Sequence, residues 1–313
     1  MTLWNHILQQ LKDQQKVYLL TVVQNHGSSP GRQGFKMMVA QNGAIFGSIG
    51  GGVMEYKLVE KAKRLLQKNT VKNFVLKQIH QAKTPDSSGM ICSGEQTVAF
   101  TALSGKHLAP IQQILQKNHA VELQLTPNDV AFNFHATTKK HIFTYQNPDN
   151  WKYTEILNRK KTVYIVGSGH VGLATSELLK FLEYKVITFD NRKNLNTFTQ
   201  NTFADKKEII SYDNISKFIP NNQNSLVVIM TNKYTDDKLV LQKLLEQKPL
   251  QYAYIGVLGS QSKINTMFAK MKKEGVAPKL LETIFAPIGI SIKSQTPKEI
   301  AVSIAAQIIA EMK

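Results

Sequence analysis

The stretch Val163-Tyr-Ile-Val-Gly-Ser-Gly-His-Val-Gly172 constrains the fold of this chain more than any other. An apolar run, Val163 to Val166, enters Gly167-x-Gly169-x-x-Gly172, and a helical pattern starts at once. A second apolar run, Val186 to Phe189, ends on Asp190. Strand, glycine turn, helix, strand and acidic tip make a nucleotide-binding βαβ unit, each part where the physics needs it. Gly167 is expected to make the tight turn, Gly169 to let a pyrophosphate approach the backbone, and Gly172 to let helix pack on strand. The helix N-terminus offers unpaired N–H groups and a partial positive charge to a phosphate. His170, inside the turn, reads either as a donor to that anion or as a side chain pointing to solvent. Asp190 favours a ribose 2′-hydroxyl, while Arg192, two residues on, leaves a 2′-phosphate open.

The rest of the second half alternates strand and helix, as a parallel sheet requires. Strands are expected near residues 163–166, 185–189, 208–211, 226–230 and 252–258, and helices near 173–181, 236–245 and 262–272. The last helix has Thr296 as N-cap, Pro297 at its first position and Glu299 completing a capping box. Asp236-Asp237 reads as a helix start and not as a carboxylate dyad. The first half reads as mixed α+β. A helix near 4–11 precedes a strand at 17–23, then a loop from His26 to Gly34. Asn42-Gly43 between two apolar runs predicts a hairpin with a type I′ turn, which needs positive φ at both residues. Further strands are expected near 71–76, 97–102, 121–125 and 141–145. A boundary is expected in the turn formers Gln146 to Asn150 or shortly after. The expected fold is α/β: a Rossmann-like parallel sheet with helices on both faces over 149–313, preceded by a smaller mixed α+β domain over 1–148.

A chain of 313 residues is long enough for two such cores. No stretch reaches the roughly 18 to 20 apolar residues of a membrane span, and the start of the chain shows no secretion signal. The single cysteine, Cys92, excludes an intrachain disulfide and fits a reducing cytoplasm. The net charge of +17 raises nucleic acid as a partner. Against it, the lysines are spread along the chain, and arginine, which base and phosphate readers favour, occurs only at 32, 64, 159 and 192. The charge therefore reads as a solvated lysine-rich surface, with no nucleic-acid partner.

Three further segments carry candidate chemistry. Gly47-Ser-Ile-Gly-Gly-Gly52 is a second strand-to-helix glycine loop. Its Gly50, Gly51 and Gly52 read either as a phosphate cradle of backbone N–H groups or as a tight turn that needs small residues. Glu55, in the first turn beyond, complements the helix dipole. The loop Gly27 to Gly34 holds Ser28, Ser29 and Arg32, a set that suits an oxyanion or, more simply, an ordinary connection. Cys92 lies in Ser87-Ser-Gly-Met-Ile-Cys-Ser-Gly94. It reads either as an inert packed thiol or as a soft metal ligand and sulfur handle.

Taken in order, these pieces resemble the XdhC/CoxI family of accessory proteins that mature molybdenum hydroxylases such as xanthine dehydrogenase. The resemblance rests on Gly27-Ser-Ser-Pro30 to Gly34, Gly47-Ser-Ile-Gly-Gly-Gly-Val-Met-Glu55, Met90-Ile-Cys-Ser-Gly94 and Ile165-Val-Gly-Ser-Gly-His-Val-Gly172 with Asp190-Asn-Arg192. It extends to Tyr254-Ile-Gly-Val-Leu-Gly-Ser260, Pro287-Ile-Gly289 and Thr296-Pro-Lys-Glu-Ile-Ala-Val-Ser303. It implies a chaperone that binds the molybdenum–pterin cofactor (molybdopterin), presents it for sulfuration and inserts it into the apo-enzyme. It also implies a homodimer whose partners are the target hydroxylase and a sulfurtransferase (a cysteine desulfurase), with Cys92 near molybdenum. Two positions depart from the family pattern: Ser93 replaces a glycine, and Asn232 stands where many members carry histidine. The reading is a maturation factor rather than an enzyme; the alternative is an NAD(P)-dependent oxidoreductase.

Overall fold

The computed structural model describes residues 2–68, 72–80, 94–116, 120–134, 141–157 and 161–312. It divides into two compact units, Met1–Arg159 and Lys160–Lys313.

The first unit runs α1 (Leu3–Lys12), β1 (Val17–Gly27), β2 (Lys36–Ala40), β3 (Ile45–Gly47), α2 (Gly52–Gln67), β4 (Phe74–His80) and β5 (Gly94–Leu103). It continues with α3 (Leu108–Gln116), β6 (Val121–Leu125), β7 (Val130–Asn133), β8 (Ile142–Asn147) and β9 (Asn150–Leu157). One antiparallel sheet has the order β3-β2-β1-β5-β4, a second the order β7-β6-β9-β8. β1 is central in the first sheet and buried on both faces from Val17 to Val23. Tyr18, Leu20 and Val22 pack with α2 through Leu58, Val59, Ala62 and Leu66. Val17, Leu19 and Val23 join a core with α1, α3 and the second sheet. This is why β1 reads as a nearly continuous apolar run, interrupted only by Thr21, rather than an alternating one.

Two expectations for this unit need correction. The Asn42-Gly43 hairpin forms, but only Gly43 takes positive φ, at 90°. Ala40 O accepts from Gly43 N at 2.9 Å and Ala40 N donates to Ala44 O at 2.8 Å, while the Asn42 carboxamide accepts from Ala44 N. The loop is thus the three-residue kind closed by a glycine bulge, not type I′. Residues 146–150 are the turn of the β8–β9 hairpin, with Asn147 opposite Asn150, not a linker. β9 belongs to the first unit because its Trp151, Tyr153 and Leu157 fill that unit's core.

The second unit runs β10 (Thr162–Val166), α4 (His170–Phe181), β11 (Lys185–Asp190), α5 (Asn196–Gln200), β12 (Lys206–Ile209) and α6 (Ile215–Phe218). It ends with β13 (Ser225–Ile229), α7 (Tyr234–Leu245), β14 (Tyr254–Val257), α8 (Gln261–Lys273), α9 (Pro278–Leu281) and α10 (Pro297–Glu311). Its five parallel strands have the order β12-β11-β10-β13-β14, the Rossmann-type arrangement. Val163, Ile165, Leu226 and Val228 face α4 and α10; Val166, Val227, Ile229 and Val257 face α7 and α8. The capping box at Thr296 and Glu299 is formed. Strand order reverses at β10, so the crevice for a ligand lies beyond its carboxyl end, where the glycine turn sits. Among the described residues no helix is long and apolar enough to cross a membrane.

Candidate functional site

At the end of β10 the backbone turns at Gly167, with φ of 110°, and a Cβ there would strike the Met230 carbonyl oxygen of the neighbouring strand. Only glycine fits that turn. A Cβ on Gly172 would strike the Gly167 carbonyl, so α4 lies against the turn at backbone distance. Gly169 is the N-cap of α4, has no side-chain cap bond, and has open space where a Cβ would point. The first-turn N–H groups of α4 therefore have no side-chain acceptor, and His170 beside them is exposed. This is the geometry of an anion site at a helix N-terminus.

The acid at the tip of β11 is engaged from within. Asp190 is fully buried. Its Oδ2 accepts from Ser168 N at 2.8 Å and Arg192 Nη2 at 2.9 Å, and its Oδ1 from Arg192 Nε at 2.8 Å and Arg192 N at 3.0 Å. Four bonds use the whole acceptor capacity of a carboxylate. Burial pushes its pKa up, but the Arg192 guanidinium and the two backbone N–H groups outweigh this and hold it below the usual carboxylate value. Ser168 is pinned in turn: its hydroxyl lies 2.6 Å from Thr188 Oγ1, and its carbonyl accepts from Thr197 Oγ1 at 2.5 Å. Across the switch point, buried Asp237 accepts from Thr231 N and Oγ1 and from Lys263 Nζ at 2.6 Å. Asp236 accepts from Asn191 Nδ2 at 3.2 Å. The two acids lie in the first turn of α7 and do not form a dyad. The Asp237–Lys263 pair joins α7 to α8, and no spacing in the sequence announces it.

In the first unit the two glycine loops pack backbone to backbone: a Cβ on Gly50 would lie 2.7 Å from Gly31 N. Gly50, Gly51 and Gly52 all have positive φ. The Glu55 carboxylate turns back into this loop and accepts from Ile49 N at 2.8 Å, Gly51 N at 3.0 Å and Ser48 Oγ at 2.8 Å. The N–H groups of Ile49 and Gly51 are thus satisfied by the chain's own anion. Ser29 is buried, its hydroxyl lying 2.8 Å from Gly31 O and 3.2 Å from Gln96 Oε1, two acceptors that share its one proton. Gln96 continues to Gln78 at 2.9 Å, and Gln78 to the Met54 carbonyl at the start of α2. Ser29 therefore holds the loop together, whereas Ser28 and Arg32 are exposed.

Beside this loop lies a cluster that sequence reasoning missed. Lys36 Nζ is 2.5 Å from Glu155 Oε1 and donates to Gly34 O at 2.8 Å. Tyr153 OH donates to Glu155 Oε2 at 3.2 Å and lies 2.9 Å from His141 Nδ1. Burial and then the neighbouring carboxylate drive the Tyr153 phenol far above its usual pKa, so it serves as a neutral donor. The partners come from β2, from β9 and, for His141, from the residue before β8, which no local pattern connects.

The sequence pattern of the XdhC Rossmann domain matches residues 163–308, and that of the XdhC and CoxI family matches residues 10–76. The chain belongs to the XdhC/CoxI family. It is similar to YqeB of Escherichia coli, 25% identical over 92% of this chain, although it spans only 42% of the length of that relative. It is also similar to a Bacillus subtilis protein described as a probable xanthine dehydrogenase subunit, 22% identical over 97% of this chain and 95% of that protein. A solved Bacillus halodurans structure described as a xanthine dehydrogenase shares the fold, with a TM-score of 0.77 and 21% identity over 99% of this chain and 96% of that one. Cys92, the metal-facing candidate, and its neighbour Ser93 lie outside the described residues, though Gly94 opens β5 directly after them. Among the described residues no three His, Cys, Asp or Glu side chains are grouped to hold a metal.

Proposed function

We propose that this protein is an accessory factor for a xanthine dehydrogenase-type molybdenum hydroxylase. It holds the molybdenum–pterin cofactor as cargo, presents it to a sulfurtransferase, and passes it to the apo-enzyme, acting as a cytoplasmic homodimer. The observation that carries this reading is membership of the XdhC/CoxI family through both units, together with near full-length similarity to a probable xanthine dehydrogenase subunit.

The residues present suit such a cargo. Its phosphate needs donors, and the uncapped first turn of α4 with its open Gly169 supplies them. Within the first unit, exposed Ser28 and Arg32 are a separate set of donors suited to an oxyanion. The loop Gly47–Gly52 suits a phosphate less well, because Glu55 already fills it. Cys92 is the one thiol in the sequence, a soft group suited to a sulfur-rich metal centre. A nicotinamide oxidoreductase is the weaker reading: the acid it needs for a ribose hydroxyl has its acceptor sites filled by Arg192 and Ser168.

Equilibrium binding of the isolated cofactor to the full chain, reduced and anaerobic, tests the proposal. Saturable binding near one cofactor per chain, weakened by Cys92→Ser, is expected. So is failure of Cys92→Ala to support hydroxylase maturation while its unfolding curve is unchanged. No cofactor binding, or full maturation by Cys92→Ala, would remove the chaperone role or the cysteine's part in it.

A further inference from the structure

A Rossmann unit commonly reads its ligand at the tip of the second strand, where a free carboxylate accepts from a ribose hydroxyl. Here that position has been rebuilt from within. Asp190 is fully buried, and all four of its acceptor positions are filled, three of them by Arg192. A hydroxyl arriving at β11 would have to displace a guanidinium or backbone N–H already bonded to the carboxylate, and so would gain one bond only by breaking another.

What this tip can offer is the guanidinium itself. Arg192 gives Nε and one N–H of Nη2 to Asp190, so three of its five N–H groups are not used by the carboxylate, and two of them, one from each Nη, form the outer end of the fork. Its side chain is 35% exposed, so that end is accessible. Asp190 fixes the plane of the fork, and Ser168, bonded to the same carboxylate, ties it to the glycine turn of α4. The nearby acid Asp236 also acts on this guanidinium and is held by Asn191. A pre-oriented guanidinium edge matches a phosphate oxygen pair in charge and geometry, whereas to a diol it offers donors alone and no acceptor for the hydroxyl protons.

We propose that Arg192, buttressed by buried Asp190, is a phosphate-reading residue, and that the Rossmann unit takes a ligand with a phosphate monoester at the β11 tip in place of a ribose hydroxyl. This deepens the accessory-factor reading and rests on its assumption that the unit holds an anionic ligand. The shared chemistry is the monoester, which is found both on the pterin cofactor and on 2′-phosphorylated nucleotides.

NAD and NADP differ only in that group, so they are the first probes. Calorimetric titration of the full chain is expected to give NADP at least tenfold tighter than NAD. Arg192→Gln should abolish the difference without weakening NAD. Equal affinities in the unsubstituted protein would overturn the inference and leave a phosphate-holding unit intact. Should neither nucleotide bind, the isolated molybdenum–pterin cofactor is the second probe. At least tenfold weakening by Arg192→Gln would support the inference with the pterin as source, and unchanged affinity would overturn it. Displacement of bound NADP by the cofactor likewise identifies the pterin phosphate as the group read. NADP preference without any cofactor binding would remove the chaperone reading and keep the role of Arg192. No binding of either nucleotide or of the cofactor would overturn both. Because Arg192→Gln leaves a buried carboxylate short of partners, the double variant Asp190→Asn, Arg192→Gln replaces it if the single one fails to fold.

Discussion

Asp190 shows how far a residue type can be read and where reading stops. Its place at the tip of β11 follows from the apolar run before it, but its bonds depend on Arg192 folding back across a turn, which no spacing rule specifies. Removing it as Asp190→Ala should cost about 3 kcal/mol of stability, the low end for breaking a buried pair because Arg192 is partly solvated. The midpoint of urea unfolding measures this. The pair also sets an acid limit. A folded pKa held below the unfolded one adds stability that is complete above roughly pH 4 and lost as pH falls through the folded value. Asp190→Asn should therefore be less stable than the unsubstituted protein at pH 7 and flatten the loss below pH 4. Equal acid slopes for the two proteins would count against the pair.

At the scale of elements, the parallel sheet was legible because four of its strands, β10, β11, β13 and β14, are short, mostly apolar and buried runs, each ending at a turn or a helix start, whereas the edge strand β12 is charged and largely exposed. The antiparallel first unit was less so. β7, a four-residue strand, and β9 were not foreseen; for β9 the reason is that Asn-Pro-Asp-Asn has the same chemistry in a linker as in a hairpin, and only the partner strand decides. The Lys36–Glu155 pair was invisible for the same reason: each residue is ordinary until two distant strands bring them together. With side chains only 12% and 2% exposed, this pair should behave as a buried one. Glu155→Leu alone is expected to cost about 3 to 5 kcal/mol by stranding the lysine, and adding Lys36→Met should recover much of it. A double-mutant cycle by denaturant titration decides; additive losses would show that the pair does not act as a unit.

For the whole molecule, the sequence disclosed two halves, the family and the glycine loops, but not which loops are already filled by their own side chains. Each unit has cores on both faces of its principal sheet. Two calorimetric transitions are therefore expected, with Glu155→Leu moving one and Asp190→Ala the other. A single transition moved by both would show that the units unfold together. The central strand of the first unit carries a last consequence. β1 has a hydrogen-bonded neighbour on each side and is dry on both faces from Val17 to Val23. In heavy water these amides should be among the last of the unit to label, exchanging only through its global opening. The same strand ends at Gly27 and leads straight into Ser28 and Arg32. The loop offered to a ligand is thus rooted in the slowest clock of its unit, so cargo can come and go many times before its base opens once.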